Sequence, residues 1–356
     1  MKVLFLVPYP SKGASNRVRI EQFLPYLEDE GIIYKIRPFI NERFFDILYT
    51  DRHYIEKIFW FIICTVNRVC DLIRACHYDA IFIHREAYPF GGPVLESILH
   101  WMKKPFIFDF DDAIFLPNTS EHNIYIERFK DPRKIKKIIM MSRKAIAGNS
   151  YLRDYALQFN KNVIVLPSTI DTGKYHPAVH RPDKNEVVIG WVGSNTTRAF
   201  LYDLEEVFVE LSRRYRHVVF EVVGARFHSA TLKNIINKEW SLQDEPSDLC
   251  NFDVGIMPMP DNEWTRGKCG FKSILYMGCG LPVVTSPVGV NNELISDGVN
   301  GFMAKDAAEW IEKLSLLIED SDLRRKMGSN GRRLVEEKYS VKANAKLFLN
   351  ILKSVI

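Results

Sequence analysis

Residues 253–301 read DVGIMPMPDNEWTRGKCGFKSILYMGCGLPVVTSPVGVNNELISDGVNG, and this stretch constrains the fold more than any other. Short apolar runs, Val254 to Met257 and Leu281 to Val284, alternate with glycine-bearing turns. Between them lies an apolar segment with helix-like spacing, Phe271 to Met277. The order is strand, loop, helix, strand. In an open α/β sheet, ligands bind beyond the carboxyl ends of the strands. A glycine loop leading into a helix there offers unpaired N–H groups and the positive end of the helix dipole to an anion. The loop carries Arg266, Gly267, Lys268 and Gly270, with Lys272 in the first helical turn. Cations at a helix start oppose the dipole unless an anion sits there, so the arrangement predicts a phosphate site in preference to a solvated basic turn.

The same residues carry a family resemblance. GCGLPVVTSPVGVNNELISDGVNGF resembles the donor-binding half of the GT-B glycosyltransferases, above all the large retaining family 4, in which a nucleotide-sugar diphosphate lies in this crevice. The resemblance covers Val187 to Tyr339 and extends more weakly to Met1. With 356 residues the chain exceeds one ordinary core and suits two domains. The resemblance implies an α/β protein of two Rossmann-like, doubly wound parallel-sheet domains facing a cleft. Residues 1–170 then form the acceptor-side domain, 171–340 the nucleotide-sugar donor domain, and 341–356 a last helix crossing back to the first.

Composition narrows the remaining classes. The six cysteines form no C-x-x-C pair and no ligand-like His spacing accompanies them, so neither a disulfide framework nor a zinc site is expected, and a reducing compartment is the simpler choice. Met1 is followed by one lysine and VLFLVP, which predicts a first strand and not a signal peptide. The uncharged run Ile58 to Val66 falls far short of the roughly 20 residues of a membrane span. Residues 1–170 hold 24 Lys and Arg against 19 Asp and Glu, and the remainder 24 against 25. A surplus this small does not imply nucleic-acid binding. A cytoplasmic protein is expected, with neither cofactor nor metal.

In the first half, Lys2 to Pro8 predicts a buried strand, YPSKGASNRVR a loop, and Val18 to Glu30 an amphipathic helix ending at Gly31. Gly13, Ser15, Arg17 and Arg19 are candidate anion contacts at that helix start, while a capping role for Ser15 and Asn16 is equally open. The G-x-G-x-x-G fingerprint is absent. The resemblance implies that Gly13 faces the donor phosphates. His53 to Cys76 predicts a long helix with Ile55, Ile58, Phe59, Ile62, Val66, Val69 and Ile73 on one face. Trp60, Phe61 and Ile63 make its other faces apolar too, so the helix is either buried on several sides, which is the default, or in contact with something greasy.

Two predicted strands then end in polar residues at the edge where such sheets hold ligands. Ala80 to Ile83 runs into His84, Arg85 and Glu86, and Pro105 to Phe108 into Asp109, Asp111 and Asp112. Alternation places Asp109 and Asp111 on one side and Asp112 on the other. Such carboxylates can bind a cation, orient a sugar hydroxyl, serve as a base or cap a turn. In family 4 the corresponding strand often ends in His-Asp. Asp111 stands in the histidine's place and Asp112 matches the aspartate, which makes Asp111, Asp112 and His84 the catalytic candidates.

Arg128 to Lys144 holds eight basic residues and one acidic, interleaved with Ile138 to Met141. It reads either as a contact with an anionic membrane surface, giving peripheral attachment at the inner face of the cytoplasmic membrane, or as a helix that buries its Ile/Met stripe and solvates its basic face. Ser168 to Arg181 reads as the interdomain linker.

Gly193 to Arg198 is the first loop of the second sheet. Family 4 commonly has an arginine after this glycine and a lysine a few residues on, both on the donor diphosphate; here the positions hold Ser194 and, shifted by one place, Arg198. Glu245 and Asp248 can hold ribose hydroxyls or be solvated. The family's Glu-x7-Glu signature falls on Gly267 and Leu275, so the pocket is expected to trade carboxylate contacts for cations on phosphate, with Glu293 the candidate for a sugar or ribose contact. The resemblance implies transfer of a hexosyl group from a nucleotide-diphosphate sugar to a glycan or lipid-linked acceptor, with retention, in cell-surface polysaccharide or glycoconjugate synthesis. Lys268, Lys272 and helix N–H groups can stabilise the leaving diphosphate without metal. Two other readings stay open: a nucleotide-sugar epimerase on the same fold, and a non-catalytic GT-B partner protein.

Overall fold

The computed structural model of the chain describes residues 1–48, 50, 52–117, 130–177 and 185–355. Arg128 and Arg181, at the ends of the basic run and of the expected linker, lie outside them. Two compact units divide the chain, one of Met1–Ser168 with Asn344–Ile356 and one of Thr169–Ala343.

The first unit is built on six strands, β1 (Lys2–Val7), β2 (Ile33–Pro38), β3 (Ala80–His84), β4 (Phe106–Phe110), β5 (Lys144–Ala147) and β6 (Val163–Val165), in the order β2-β1-β3-β4-β5-β6. All pair in parallel. β3 and β4 are buried along their whole length because helices cover both faces, which is why they read as continuous apolar runs without alternation. The order reverses between β1 and β3, and a ligand site is expected beyond the carboxyl ends of those strands. The register that pairs Ile83 with Phe108 sets His84 opposite Asp109.

The helices of this unit are α1 (Ala14–Arg19), α2 (Leu24–Asp29), α3 (Glu42–Leu48), α4 (Tyr54–Arg74), α5 (Val94–Trp101), α6 (Lys134–Met141) and α7 (Ser150–Leu157). The single helix expected over Val18 to Glu30 is two, separated by a tight turn over Glu21–Phe23. Pro25 causes the restart: it lacks an N–H and fits only the first turn of a helix, where it sits in α2.

The expected burial of α4 is overturned. Its apolar stripe from Ile55 to Ile73 faces solvent, while Cys64, Arg68, Asp71 and Leu72 face inward. The polar pair fixes this roll. Arg68 donates to the Val7 carbonyl at 3.0 Å, and Asp71 accepts from Arg37 at 2.7 Å. The basic segment takes the other course: Ile135, Ile138 and Ile139 of α6 are buried, so its apolar stripe belongs to the core. Lys134 is buried too, paired to Glu86 at 2.8 Å.

The second unit repeats the plan. Its strands are β7 (Val187–Val192), β8 (Val218–Val223), β9 (Ile235–Lys238), β10 (Val254–Met257), β11 (Val283–Thr285) and β12 (Gly301–Met303), in the order β12-β11-β10-β7-β8-β9 with parallel pairing. Its helices are α8 (Asn195–Tyr202), α9 (Glu205–Arg214), α10 (Glu245–Cys250), α11 (Glu263–Arg266), α12 (Phe271–Gly278), α13 (Asn291–Leu294), α14 (Ala307–Glu319) and α15 (Ser321–Leu334). The predicted strand, loop, helix, strand of residues 253–301 is β10, α12 and β11. α11 lies inside that loop, started by a reciprocal cap in which Asn262 and Thr265 satisfy each other's backbone N–H. Order reverses here between β7 and β10, so the loops leaving those two strands border the expected ligand position.

A last helix, α16 (Val341–Lys353), belongs to the first unit from Asn344 onward. Phe348 stacks on Phe23 with ring centroids 4.5 Å apart, and Lys353 pairs with Glu30 at 2.7 Å.

Candidate functional site

Each unit gathers polar side chains at the carboxyl end of its sheet, where the strand order reverses. In the first unit the centre is Asp109, fully buried at the end of β4. Arg19 on α1 forks onto it through Nε and Nη2 and donates its remaining nitrogen to the Leu166 carbonyl at 2.7 Å. This corrects the expectation of Arg19 as an anion contact: the guanidinium is buried and engaged inside the unit. Burial pushes the Asp109 carboxyl up, but Arg19 and His84 outweigh it and hold the group below its ordinary range. An ionised Asp109 accepts from His84 Nδ1, 2.6 Å from its Oδ2. His84 Nε2 then faces Ser15 Oγ at 2.5 Å, and the same hydroxyl lies 3.0 Å from Asp111 Oδ2.

Ser15 has one proton for two acceptors, so this chain has two forms. With neutral His84 the hydroxyl proton points to Nε2. With protonated His84 the imidazolium donates to Ser15, which donates to Asp111. A proton can therefore enter at the half-buried Ser15 and Asp111 end and rest on His84, backed by Asp109. Arg85 holds Asp111 at 2.8 Å and lies 4.0 Å from Asp112. Burial raises the Asp111 carboxyl, and Arg85 followed by His84 brings it far below the usual carboxylate range. Arg85 itself has φ +63°, a left-handed conformation that costs a non-glycine residue about 1 kcal/mol or more and that clusters at functional turns. The Asp112 carboxylate accepts from the Ala113 N–H at 3.2 Å, the turn-capping alternative. Gly13 caps α1, and a β-carbon there would come within 2.7 Å of Tyr9, so the loop closes over Tyr9 only with glycine. Arg17 donates to the Ser11 and Lys12 carbonyls of the same loop.

In the second unit the centre is Lys272. Its ammonium lies 4.1 Å from the Trp191 ring centre and 3.2 Å from Thr197 Oγ1, in the first turn of α12. A β-carbon on Gly193 would sit 2.7 Å from that nitrogen, so the loop after β7 and the start of α12 meet at the lysine. Burial and then Lys268 push the ammonium down to about 7. No carboxylate forms an ion pair with it among the described residues. Lys268 lies beside it, its nitrogen 3.6 Å from the Trp264 ring centre. Gly270 caps α12 at φ +64°, and a β-carbon there would lie 2.2 Å from Leu294, which fixes glycine twice over.

The other sequence candidates are more dispersed. Ser194 is exposed before α8, its hydroxyl 2.7 Å from that of Thr196. Arg198 is half-exposed and donates to the Arg226 carbonyl at 3.2 Å. Arg266 is exposed and forks onto Asp261 at 2.7 and 3.0 Å, and Gly267 closes α11. Glu293 is exposed on α13, and its charge adds to burial in raising the Tyr339 phenol. Glu245 and Asp248, weighed as ribose ligands or solvated acids, are engaged inside the unit: Glu245 is buried and accepts from Tyr175 and from Trp240 at 2.7 Å, and Asp248 pairs with Lys238 at 3.1 Å. Leu275, at the second signature position, is buried in the core.

Residues 186–320 match the family described as Glycosyl transferases group 1. The chain is 32% identical to glycosyltransferase MJ1069 of Methanocaldococcus jannaschii over 275 residues, covering 72% of this chain and 70% of that protein. It is 25% identical to the capsular polysaccharide biosynthesis glycosyltransferase CapM of Staphylococcus aureus over 257 residues, covering 68% of this chain and 61% of CapM. Among solved structures, Anabaena Alr3699/HepE in complex with UDP and glucose superposes with a TM-score of 0.68 at 15% identity, covering 99% of this chain and 100% of that one.

Proposed function

The chain belongs to the group 1 glycosyltransferases, and from that premise we propose that it moves a sugar from a nucleotide-diphosphate donor to a glycan or lipid-linked acceptor, with retention at the anomeric carbon and without metal. The observation that carries the donor half is Lys272. A half-buried ammonium at a helix start, with a second lysine beside it and no paired carboxylate among the described residues, is an unfavourable arrangement until an anion arrives. The donor diphosphate supplies that anion. As the glycosidic bond breaks, negative charge builds on the leaving diphosphate, and Lys272, Lys268 and the N–H groups of the first turn of α12 stabilise it. HepE's complex with UDP supports a nucleoside diphosphate as the ligand class.

The acceptor half is assigned to the first unit. Asp111 orients the acceptor hydroxyl, and the Ser15–His84–Asp109 chain takes up the proton it releases. Asp112 and Arg85 fix the turn on which Asp111 stands. The loss of both signature glutamates shifts sugar recognition elsewhere, and Glu293 is the residue proposed to meet the sugar or the ribose. Capsule synthesis by CapM makes a cell-surface polysaccharide the natural product class to test first.

The test is release of nucleoside diphosphate from a panel of donor sugars, with and without lipid-linked acceptors, joined to calorimetry of nucleoside diphosphate binding. Lys268→Ala and Lys272→Ala are each expected to weaken binding by about 1.5–3 kcal/mol, the scale of a hydrogen bond to a charged group. Unchanged affinity in both variants removes the donor assignment. Donor epimerisation without transfer, or binding without turnover of any donor, would return the epimerase or the non-catalytic reading.

A further inference from the structure

We propose that the outer face of α4 docks on an anionic lipid bilayer. The helix is reversed relative to an ordinary surface helix: Arg68 and Asp71 are 1% and 2% exposed, whereas the stripe from Ile55 to Ile73 is 48% to 86% exposed. Seven large apolar side chains thus share one outward face about 100° wide, and the inward hydrogen bonds of Arg68 and Asp71 prevent the helix from rolling them under. α5 extends the apolar surface. Trp101 is 83% exposed, and Pro93, Val94, Ser97, Ile98 and Trp101 line a shallow depression. A contiguous apolar surface of this kind on a folded chain marks an interaction site.

Charge selects the occupant. α4, α5 and α6 carry three carboxylates, and none is presented to solvent unpaired: Glu56 is bonded to Arg43 at 2.7 Å, and Asp71 and Glu96 are buried. Lys136 and Lys137 of α6, and Lys103 just after α5, are exposed, and α5 and α6 touch through Ser97 and Met141. Exposed ammonium groups on α6 and at the end of α5, in the same unit as an aliphatic and aromatic face, match headgroup phosphates lying over acyl chains. A second copy laid on the same face would set like charge against like. α4 has 21 residues, about 30 Å, but is apolar outward on one side only, and no described helix is long and apolar enough to cross a membrane. It therefore lies in the plane of the headgroups. The choice of a lipid-linked acceptor over a free glycan rests on the glycosyltransferase reading, whereas the docking itself does not.

The experiment is vesicle co-sedimentation of the full chain without donor or acceptor, so that its result is independent of catalysis. Phosphatidylcholine vesicles with and without phosphatidylglycerol are compared across a salt series, with wild type, Ile55→Gln/Ile62→Gln/Ile73→Gln, and Lys136→Glu/Lys137→Glu. Wild type is expected to pellet with the anionic vesicles and to be released as salt rises. The glutamine variant is expected to partition roughly tenfold or more less, with an unchanged melting temperature because its three positions are solvent-facing, and the glutamate variant to lose the preference for anionic lipid. Wild type left in the supernatant at low salt, or a glutamine variant that pellets like wild type, overturns the proposal. So does a dimer in sedimentation velocity that the glutamine variant abolishes while neither protein binds vesicles, which would give the face to a second copy.

Discussion

Replacing Lys272 by Met tests the proposed donor site through stability as well as affinity. In the nucleotide-free protein the ammonium is lowered from 10.5 to about 7 by burial and by Lys268. At about 1.36 kcal/mol per pH unit, keeping it charged inside the fold costs at most about 5 kcal/mol. The contact over Trp191, lost in the variant, offsets about 1–2 kcal/mol of that. The folded value lies below the unfolded one, so the folded protein binds fewer protons between the two. The penalty is complete below about pH 7 and fades as pH rises from about 7 towards 10.5. Lys272→Met is thus expected to stabilise the nucleotide-free second unit by up to about 3–4 kcal/mol at pH 6 and by little near pH 10. Differential scanning calorimetry should register the pH 6 gain as roughly 5–10 °C. The same variant should lose about tenfold or more in nucleoside diphosphate affinity. A melting temperature at pH 6 equal to or below wild type, or an equal gain at both pH values, would refute the account of Lys272 as a charge held in readiness for an anion.

Three further outcomes follow from the geometry. Asp109→Asn leaves the buried Arg19 uncompensated and is expected to destabilise the first unit by about 3–5 kcal/mol in urea unfolding. Asp111→Asn should lower turnover while nucleotide affinity in calorimetry stays within about twofold, as the proposed role of Asp111 on the acceptor hydroxyl requires. Gly270→Ala meets Leu294 at 2.2 Å from a backbone at φ +64°, and a loss of about 2–4 kcal/mol in the second unit is expected from thermal unfolding.

What could be read from the chain beforehand depended on whether the deciding contact was local. The parallel sheets and the start of α12 follow from spacing within short windows, and both are found; Lys272 stands in the first turn of that helix and Lys268 over the Trp264 ring. His84 beside Asp109 follows from strand register, which the apolar runs of β3 and β4 suggest without fixing. Arg19 and Ser15 illustrate the limit. One helical turn apart at a loop end, they look alike to a sequence reading, yet Arg19 turns inward to a carboxylate 90 residues away while Ser15 meets His84 and Asp111. Glu245 is a mixed case, since Trp240 lies only five residues before it but Tyr175 reaches it from 70 residues away. For α4 the periodicity was visible but the roll was not: a stripe of isoleucines ordinarily faces the core, and here distant partners reverse it, Val7 and Arg37 for the polar pair and Phe39 for Phe61. In α6 no such partner opposes burial, and its isoleucines turn inward as such residues usually do.

The open borders of the two sheets have a bearing on behaviour at high local concentration. β6, β9 and β12 are only three, four and three residues long, too short to template another chain. The longer border strand β2 offers an exposed Lys35, a half-exposed Arg37 and a terminal Pro38 in place of a clean ladder of donors. Confinement to two dimensions would crowd neighbouring molecules far beyond their concentration in bulk solution, and unguarded strand borders are where crowded chains fuse into fibres. These borders offer such neighbours little backbone to join, so on a lipid surface of the kind proposed crowding would remain a reversible encounter of whole folded molecules.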